Sequence, residues 1–519
     1  MIQTIVKSGE YYDSITLLQV AQGLSKLTGV EDAAVVMGTP ANKGILKDAG
    51  LLTAEAEAAL ADDLIIAARV ADAAVINVAV CADELLKAAR TPKAVGGTTP
   101  PPKTLAAAAQ QLAGANIALV SVAGRYAAGV ARDALDRGLH VFLFSDNVSV
   151  EDEIALKTLG REKGLLVMGP DAGTAIINGV ALGFANAVIR GPVGVVAASG
   201  TGLQAVTSQL TRMDVGITQA IGTGGRDLSD TVGGIMMLEG LKALQADPAT
   251  TVLLLVSKPP APAVAERVLR QLQASDKPAV VCFLGGKAKA VREAGGIPAA
   301  TLEEAAHLAA AIARGKSADE ARESLHTHQQ VLKKSARKLV RRLQIGQSYF
   351  RGLFSGGTFC YESQLILGAM LGKGALTSNA PVKKKHLMAD ANKSSGHTAV
   401  DLGADEFTVG RLHPMLDPTL RNRRILHEAQ DPQTAIILLD IVLGYGVHPD
   451  PAGAAVEAIG AAQAWLANAG REVLFLASVC GTDGDPQNVS AQEAKLRAAG
   501  VIVLESNAAA TRLAGYILS

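Results

Sequence analysis

Short apolar runs recur along the chain, each closed by a polar, glycine-containing break and followed by a longer stretch with apolar residues three and four apart. That alternation predicts buried strands, each leading into a helix, repeated from one end to the other as in an α/β chain with parallel sheets. The sharpest instance is 193–207, VGVVAASGTGLQAVT. It predicts a strand, a tight turn at Ser199-Gly200-Thr201-Gly202, and a helix whose first backbone N–H groups point back over the strand end. Such a start favours an anion. Ser199 and Thr201 add hydroxyl donors, and the bare backbone at Gly200 and Gly202 admits a phosphate or carboxylate at close range. A plain βα turn has the same pattern, so the functional reading rests on its recurrence.

Residues 1–92 predict a small α+β unit: strand 2–6, helix 14–27, strand 33–37, an acidic helix at 53–61, an apolar run at 64–67 and a strand at 74–80. Gly38 to Lys43 reads as a turn. The segment RTPKAVGGTTPPPK has the composition of a linker, placed at 93–103. Residues 104–190 predict a Rossmann-like unit with strands at 117–122, 141–144 and 165–168. These end in polar loops, respectively Gly124-Arg125-Tyr126, Ser145-Asp146-Asn147 and Gly169-Pro170-Asp171, where an open parallel sheet places its ligand crevice. No GxGxxG follows the first strand, so a dinucleotide is not supported.

Residues 191–312 read as a flavodoxin-like doubly wound domain. After the SGTG unit, one strand ends in Gly222-Thr223-Gly224-Gly225-Arg226-Asp227 and the next runs into Ser257-Lys258. Residues 313–343 predict a helical connector whose basic run, KKSARKLVRR, suits a solvated helix face. Residues 344–519 then repeat the preceding domain in order. A strand leads into Ser355-Gly356-Gly357-Thr358 and a helix, and a later strand ends in Gly444-Tyr445-Gly446-Val447-His448. The shared order implies a duplication. Two such domains about a pseudo-two-fold axis bring two helix N-termini toward one point, where about half a positive charge at each can hold a phosphate without a lysine.

Composition narrows the chemistry. A length of 519 residues implies three or four domains. Lys+Arg and Asp+Glu both number 49, which argues against a nucleic-acid or membrane-surface partner and for small-molecule work. The apolar region 63–86 is broken by Arg69, Asp72 and Asp83, and the first residues carry charges, so a cytoplasmic chain without a membrane span is expected. The cysteines Cys81, Cys282, Cys360 and Cys480 are scattered, which predicts neither disulfides nor a metal site. For proton transfer the candidates are His413, in Gly410-Arg411-Leu412-His413-Pro414, and His448. Arg226, Lys258, Arg411 and Arg421 are candidates for gripping carboxylates.

The runs MGPDAGT, GVVAASGTGLQAV, IGTGGRDLSD and VSKPP, with TVGRLHPMLDPTLRN and LGYGVHPDP, resemble the FdrA family, a branch of the succinyl-CoA and acyl-CoA synthetase superfamily. The likeness spans nearly the whole chain. It implies a CoA-binding-type Rossmann domain and two ligase domains fused behind a family-specific N-terminal domain. By that resemblance Ser199, Gly200 and Thr201 begin one phosphate-facing helix, and the other follows Gly444, Tyr445 and Gly446. Gly222, Gly224, Gly225 and Asp227 would line the same cleft, and Gly169 and Asp171 match the superfamily's Gly-Pro-Asn loop. Gly124, Arg125, Tyr126, Ser145, Asp146 and Asn147 stand where its CoA pocket lies, leaving CoA an open ligand. The chain also departs from the pattern. The loop that carries the superfamily's phosphorylated histidine reads LGGKAKAVREAGG here, and no segment remains for an ATP-grasp domain. What these subtractions leave is transfer of an acyl or carbamoyl group to or from inorganic phosphate. The resemblance points to a subunit of oxamate carbamoyltransferase, which with companion subunits converts the ureide oxalurate and phosphate into oxamate and carbamoyl phosphate in allantoin breakdown. The alternatives are an acyl-CoA synthetase subunit and a non-catalytic scaffold that senses an anion.

Overall fold

The computed structural model describes residues 1–10, 12, 14–71, 76–90, 102–372, 376–408 and 412–519. The expected linker lies outside these residues up to 101, as does Arg411. The chain forms two compact units, Met1–Pro101 with Asp405–Leu412, and Pro102–Ala404 with His413–Ser519.

In the first unit, β1 (Ile2–Lys7) and β2 (Val30–Met37) flank β3 (Leu64–Val70) in an antiparallel sheet. The central strand is the most apolar, and Leu64 through Ala68 are fully buried. Two local readings change. The stretch at 38–43, read as a turn, opens a helix at Pro40–Asp48. The Val-rich run read as a strand at 74–80 falls partly outside the described residues and is helical from Val78. Val78, Ala82 and Leu86 recur every fourth residue as its buried seam, and the Asn77 side chain accepts the Val80 N–H at its start. Helical spacing prevailed over β-branching because it put one stripe, not alternate residues, against the sheet.

Among the described residues the second unit holds three sheets. The first is parallel, with β4 (Ile117–Val120), β5 (His140–Leu143) and β6 (Val167–Met168) side by side in chain order. The next elements are β7 (Thr174–Ile177), β8 (Val180–Gly183), β9 (Arg190–Ala197), β10 (Ile217–Gly222), β11 (Val252–Ser257), β12 (Ala279–Phe283) and β13 (Ile297–Pro298). They form one sheet ordered β13-β12-β11-β9-β10-β7-β8. The hairpin β7–β8, within the segment expected to close the Rossmann-like unit, pairs antiparallel onto β10 and belongs to this sheet. Last come β14 (Tyr349–Phe354), β15 (Leu376–Ser378), β16 (His397–Asp401), β17 (Thr434–Val442), β18 (Leu474–Cys480) and β19 (Ile502–Leu504), ordered β15-β16-β14-β17-β18-β19.

With the hairpin and β15 set aside, both large sheets have their second strand, first strand, third, fourth and fifth side by side. This is the flavodoxin-like order, and the duplication read from the sequence recurs strand for strand. The order reverses at β9 in one sheet and at β14 in the other, and the carboxyl end of such a strand is where a doubly wound sheet binds its ligand. β11 and β17 are buried along their whole length, as strands covered by helices on both faces must be. Among the described residues no helix is long and apolar enough to cross a membrane.

One buried ionic group joins the first sheet to the second. Lys157 Nζ, fully buried, reaches Glu153 Oε1 at 2.7 Å, Asp227 Oδ1 at 2.8 Å and the Thr223 carbonyl at 2.9 Å. The Asp227 carboxylate also accepts the Met237 N–H at 2.8 Å, at the start of helix Ile235–Ala246. Removing one partner from such a set strands charge without solvent. Lys157→Ala is therefore expected to lower the unfolding free energy by about 3–5 kcal/mol in denaturant titration. Arg270→Ala, which breaks the exposed pair with Glu266, is expected to change it by less than about 1 kcal/mol.

Candidate functional site

The two strand-to-helix turns at the reversal points meet. β9 runs through Ala198 and Ser199 into helix Gly200–Arg212, and Ser199 Oγ caps that helix by accepting the Gly202 N–H at 3.0 Å. β14 runs through Ser355 and Gly356 into helix Gly357–Met370, whose start has no side-chain cap. Ser199 Oγ and Thr358 Oγ1 lie 2.6 Å apart, joining the two starts by one hydrogen bond. Glycine makes the approach feasible: a Cβ on Gly356 would stand 2.7 Å from Thr201 Cγ2. Among the described residues no acceptor takes the first-turn N–H groups of Gly200, Thr201, Gly357 or Thr358. The result is a group of unpaired backbone donors beside two hydroxyls, a combination suited to an oxyanion.

The starts are not equivalent. Asp440, fully buried in β17, accepts the N–H groups of Ser355 and Gly356, each at 2.7 Å. At the matching place in the first sheet the Ala198 N–H bonds instead to the Val256 carbonyl. Burial pushes the Asp440 carboxyl up, opposed by Arg421, whose Nη1 reaches the Asp440 carbonyl at 2.7 Å and Ser355 Oγ at 2.9 Å. Arg421 is thus a buttress behind the turn and not the carboxylate grip expected from sequence.

His413 stands beside the second start. Its Nδ1 accepts the Met415 N–H at 3.3 Å, which leaves the ring proton on Nε2. A Cβ on Gly403 would stand 2.7 Å from His413 Nε2, 2.9 Å from the Ser355 carbonyl and 3.3 Å from Asp401 Oδ1, so these groups converge on one point. Asp401 Oδ2 in turn would stand 2.5 Å from a Cβ on Gly357. Burial pushes the His413 imidazole down to about 4, so it is neutral at pH 7.

Gly444, Tyr445 and Gly446 do not open a second phosphate-facing helix. The Tyr445 N–H bonds to the Ala185 carbonyl at 2.9 Å, and the Gly444 N–H to Gln487 Oε1 at 3.1 Å, so residues 184–187 of the same chain fill the turn. The following helix begins at Pro451, which has no N–H to offer, and the Asp450 carboxylate already accepts from Gly453. The second start belongs instead to Gly357 and Thr358. His448 is turned away, its Nδ1 accepting the Asp450 N–H at 3.0 Å.

The glycine loop after β10 serves packing. A Cβ on Gly222 would stand 2.1 Å from the Thr174 carbonyl, and one on Gly224, where φ is +87°, 2.5 Å from the Pro170 carbonyl. Gly169 and Gly224 therefore touch backbone to backbone, while Asp171 and Gly225 are exposed. Asp227 is taken by Lys157. Arg226, a candidate for gripping a carboxylate, hydrogen-bonds the Val148 carbonyl at 2.8 Å and pairs with the Glu153 carboxylate of this chain at 3.0 Å. Lys258 is exposed just past β11, its ammonium 5.5 Å from the ring centre of Tyr361 in the first helix turn after Gly357. Gly124, Arg125 and Tyr126 open helix Gly124–Asp136 beside Asp146 and Asn147, with Arg125 stacked 4.8 Å over the Tyr126 ring. Ser145 is buried and donates to the Val120 carbonyl. Three residues of the site were missed in the sequence reading. Asp401 and Asp440 had a signal, a carboxylate within or closing an apolar strand that must find donors; Phe184, which packs against His413, had none.

The CoA-ligase family profile matches residues 353–517 and the CoA-binding domain profile residues 190–285. The latter falls on the sheet that carries Ser199, and not on the 104–190 unit. A third profile, the AllF heavy metal-associated domain, matches residues 1–101. That segment has one cysteine, Cys81, and no histidine, so it lacks the paired cysteines or histidines that would hold a heavy metal. The chain is similar to "Uncharacterized protein YahF" of Escherichia coli, 45% identical over 98% of this chain and 96% of that one. It is 30% identical to the malate–CoA ligase subunit alpha of Methylorubrum extorquens over 39% of this chain and 70% of that subunit. Among solved structures, a dinucleotide-forming acetyl-coenzyme A synthetase from Ca. Korarchaeum cryptofilum matches 78% of this chain and 82% of its own at 16% identity and a TM-score of 0.31.

Because the folded His413 holds its proton less tightly than an unfolded histidine, near 6.5, its contribution to stability is present above pH 6.5 and is lost as pH falls toward 4. Denaturant titrations at pH 7 and pH 4.5 are expected to show His413→Gln losing roughly 2 kcal/mol less than the parent over that interval.

Proposed function

The chain belongs to the FdrA/AllF family of succinyl-CoA-synthetase-like proteins, and from that premise we propose that it transfers an acyl or carbamoyl group to or from inorganic phosphate. The concrete reading is a subunit of an oxamate carbamoyltransferase working with companion subunits. The observation that carries it is the meeting of the two helix starts across the Ser199–Thr358 hydrogen bond, with free N–H donors around it and neutral His413 alongside.

Phosphate would bind at the N–H groups of Gly200, Thr201, Gly357 and Thr358 in exchange for the Ser199–Thr358 bond. One phosphate oxygen attacks the ureido carbonyl of oxalurate. A carbon–oxygen bond forms to give carbamoyl phosphate, and the carbon–nitrogen bond to oxamate breaks. The proton of hydrogen phosphate passes to the departing nitrogen, so none is gained or lost overall. The helix donors hold charge that builds on oxygen, and the His413 Nε2–H donates a hydrogen bond without changing its own charge. Exclusion of water by the two ligase-type domains protects the acyl phosphate.

A second reading, a subunit of an acyl-CoA synthetase, is supported by the two CoA-related profiles and by the malate–CoA ligase relative. Its CoA would be sought at Arg125 and Tyr126, exposed at the carboxyl end of β4. Co-expression with companion subunits and assay of carbamoyl phosphate from oxalurate and phosphate separates the two. Formation without CoA is expected, lowered about 10²–10³-fold in Ser199→Ala and in Thr358→Ala with assembly intact. Turnover that requires CoA would move the protein to the second reading, and intact assembly without either turnover would leave an anion-sensing scaffold.

A further inference from the structure

Phe184 was singled out by neither sequence motif nor family likeness, yet it links the residues bordering the first helix start to His413. Its backbone is pinned at both ends, the N–H to the Gly173 carbonyl at 2.7 Å and the carbonyl to Thr174 Oγ1 at 3.0 Å. Those same residues border the first helix start, since a Cβ on Gly200 would lie 3.6 Å from Thr174 Oγ1 and 3.7 Å from Gly173 Cα. The ring extends away from this anchor. It meets Phe144, one residue past β5, edge to face at 5.3 Å between centres, and the His413 imidazole at 5.9 Å with the planes 32° apart. A Cβ on Gly446 would be 3.5 Å from its Cδ1. Phe184 is only part-buried.

We propose that Phe184 is a positioning residue for the transfer reaction: its ring, clamped beside the first helix start, covers one side of His413, keeps water from it and holds the Nε2–H toward the second start. The inference rests on the function proposed above for what His413 does, but not for where it sits. Among the described residues the polar contact of the imidazole is the Met415 N–H at Nδ1. The charged or titratable groups around His413 among the described residues are Asp401 beyond Gly403, Arg421 behind Ser355 and His448 behind Met415. Desolvation is the cause of the imidazole's low proton affinity, and the phenyl ring is an apolar neighbour whose centre lies 5.9 Å from that of the imidazole.

The test needs no substrate. Histidine C2–H resonances of the full chain would be followed by NMR from pH 8 to pH 4, with the His413 signal assigned as the one absent in His413→Gln. In Phe184→Ala the midpoint is expected to rise by at least about one pH unit, a tenfold gain in proton affinity, and Phe184→Leu to restore the parental value. Phe184→Val, a smaller truncation with the same backbone bonds, provides an intermediate shift if the alanine variant does not fold. An unchanged midpoint in a folded alanine or valine variant overturns the proposal. In the assembled protein, the acid limb of kcat/KM is expected to move up by the same interval in Phe184→Ala. If the NMR shift occurs and no transfer is detected in the parent, the functional reading fails while the placement of Phe184 stands.

Discussion

Two helix N-termini, each with partial positive charge, are held within one hydrogen bond of each other, and the rest of the second unit serves that unfavourable juxtaposition. Left alone they would repel. Two buried carboxylates answer this: Asp440, accepting the N–H groups just ahead of Gly357, and Asp401, lying against Gly357 itself. Glycine removes the steric part of the cost, because a side chain at Gly356 or Gly357 would collide with Thr201 or Asp401. What remains unneutralised is a small group of N–H donors whose natural complement is a further anion.

The duplication explains how a single chain can bring two such helix starts together, and its imperfection explains why the Gly444 turn is not one of them. Each doubly wound sheet offers its reversal point, and the pseudo-symmetry brings the two points together. The later turn at Gly444 is filled by residues 184–187, which carry Asn186 into bonds with the Leu443 carbonyl and Asp485. The same inserted segment places Phe184 beside His413. One stretch of chain thus closes one crevice and furnishes the other.

His413 shows how burial sets chemistry. Of the two histidines suggested by sequence, His448 is spent on the backbone of Asp450, whereas His413 is buried, held neutral by that burial, and lies beside the second helix start. A neutral imidazole that donates from Nε2 suits the transfer proposed above, in which the proton would travel with phosphate, and it spares the helix starts a third positive charge.

Strand-to-helix alternation, the SGTG and SGGT turns, and their repetition in the same order were all readable by the sequence itself, because they arise from local preferences: apolar runs, glycine, and hydroxyl caps. So were the α/β class and the convergence of two helix starts. Which start pairs with Ser199 was decided only in three dimensions, since Gly444 and Gly357 both follow buried strands and differ in what the distant residues Ala185 and Gln487 do to them. The helix at Val78, the roles of Arg226, Asp227 and Arg421 as internal supports, and the presence of Phe184 in the site likewise depended on long-range packing. A local pattern states what a segment offers. Only the tertiary structure determines which offers are already taken by the rest of the chain and which are left for a ligand.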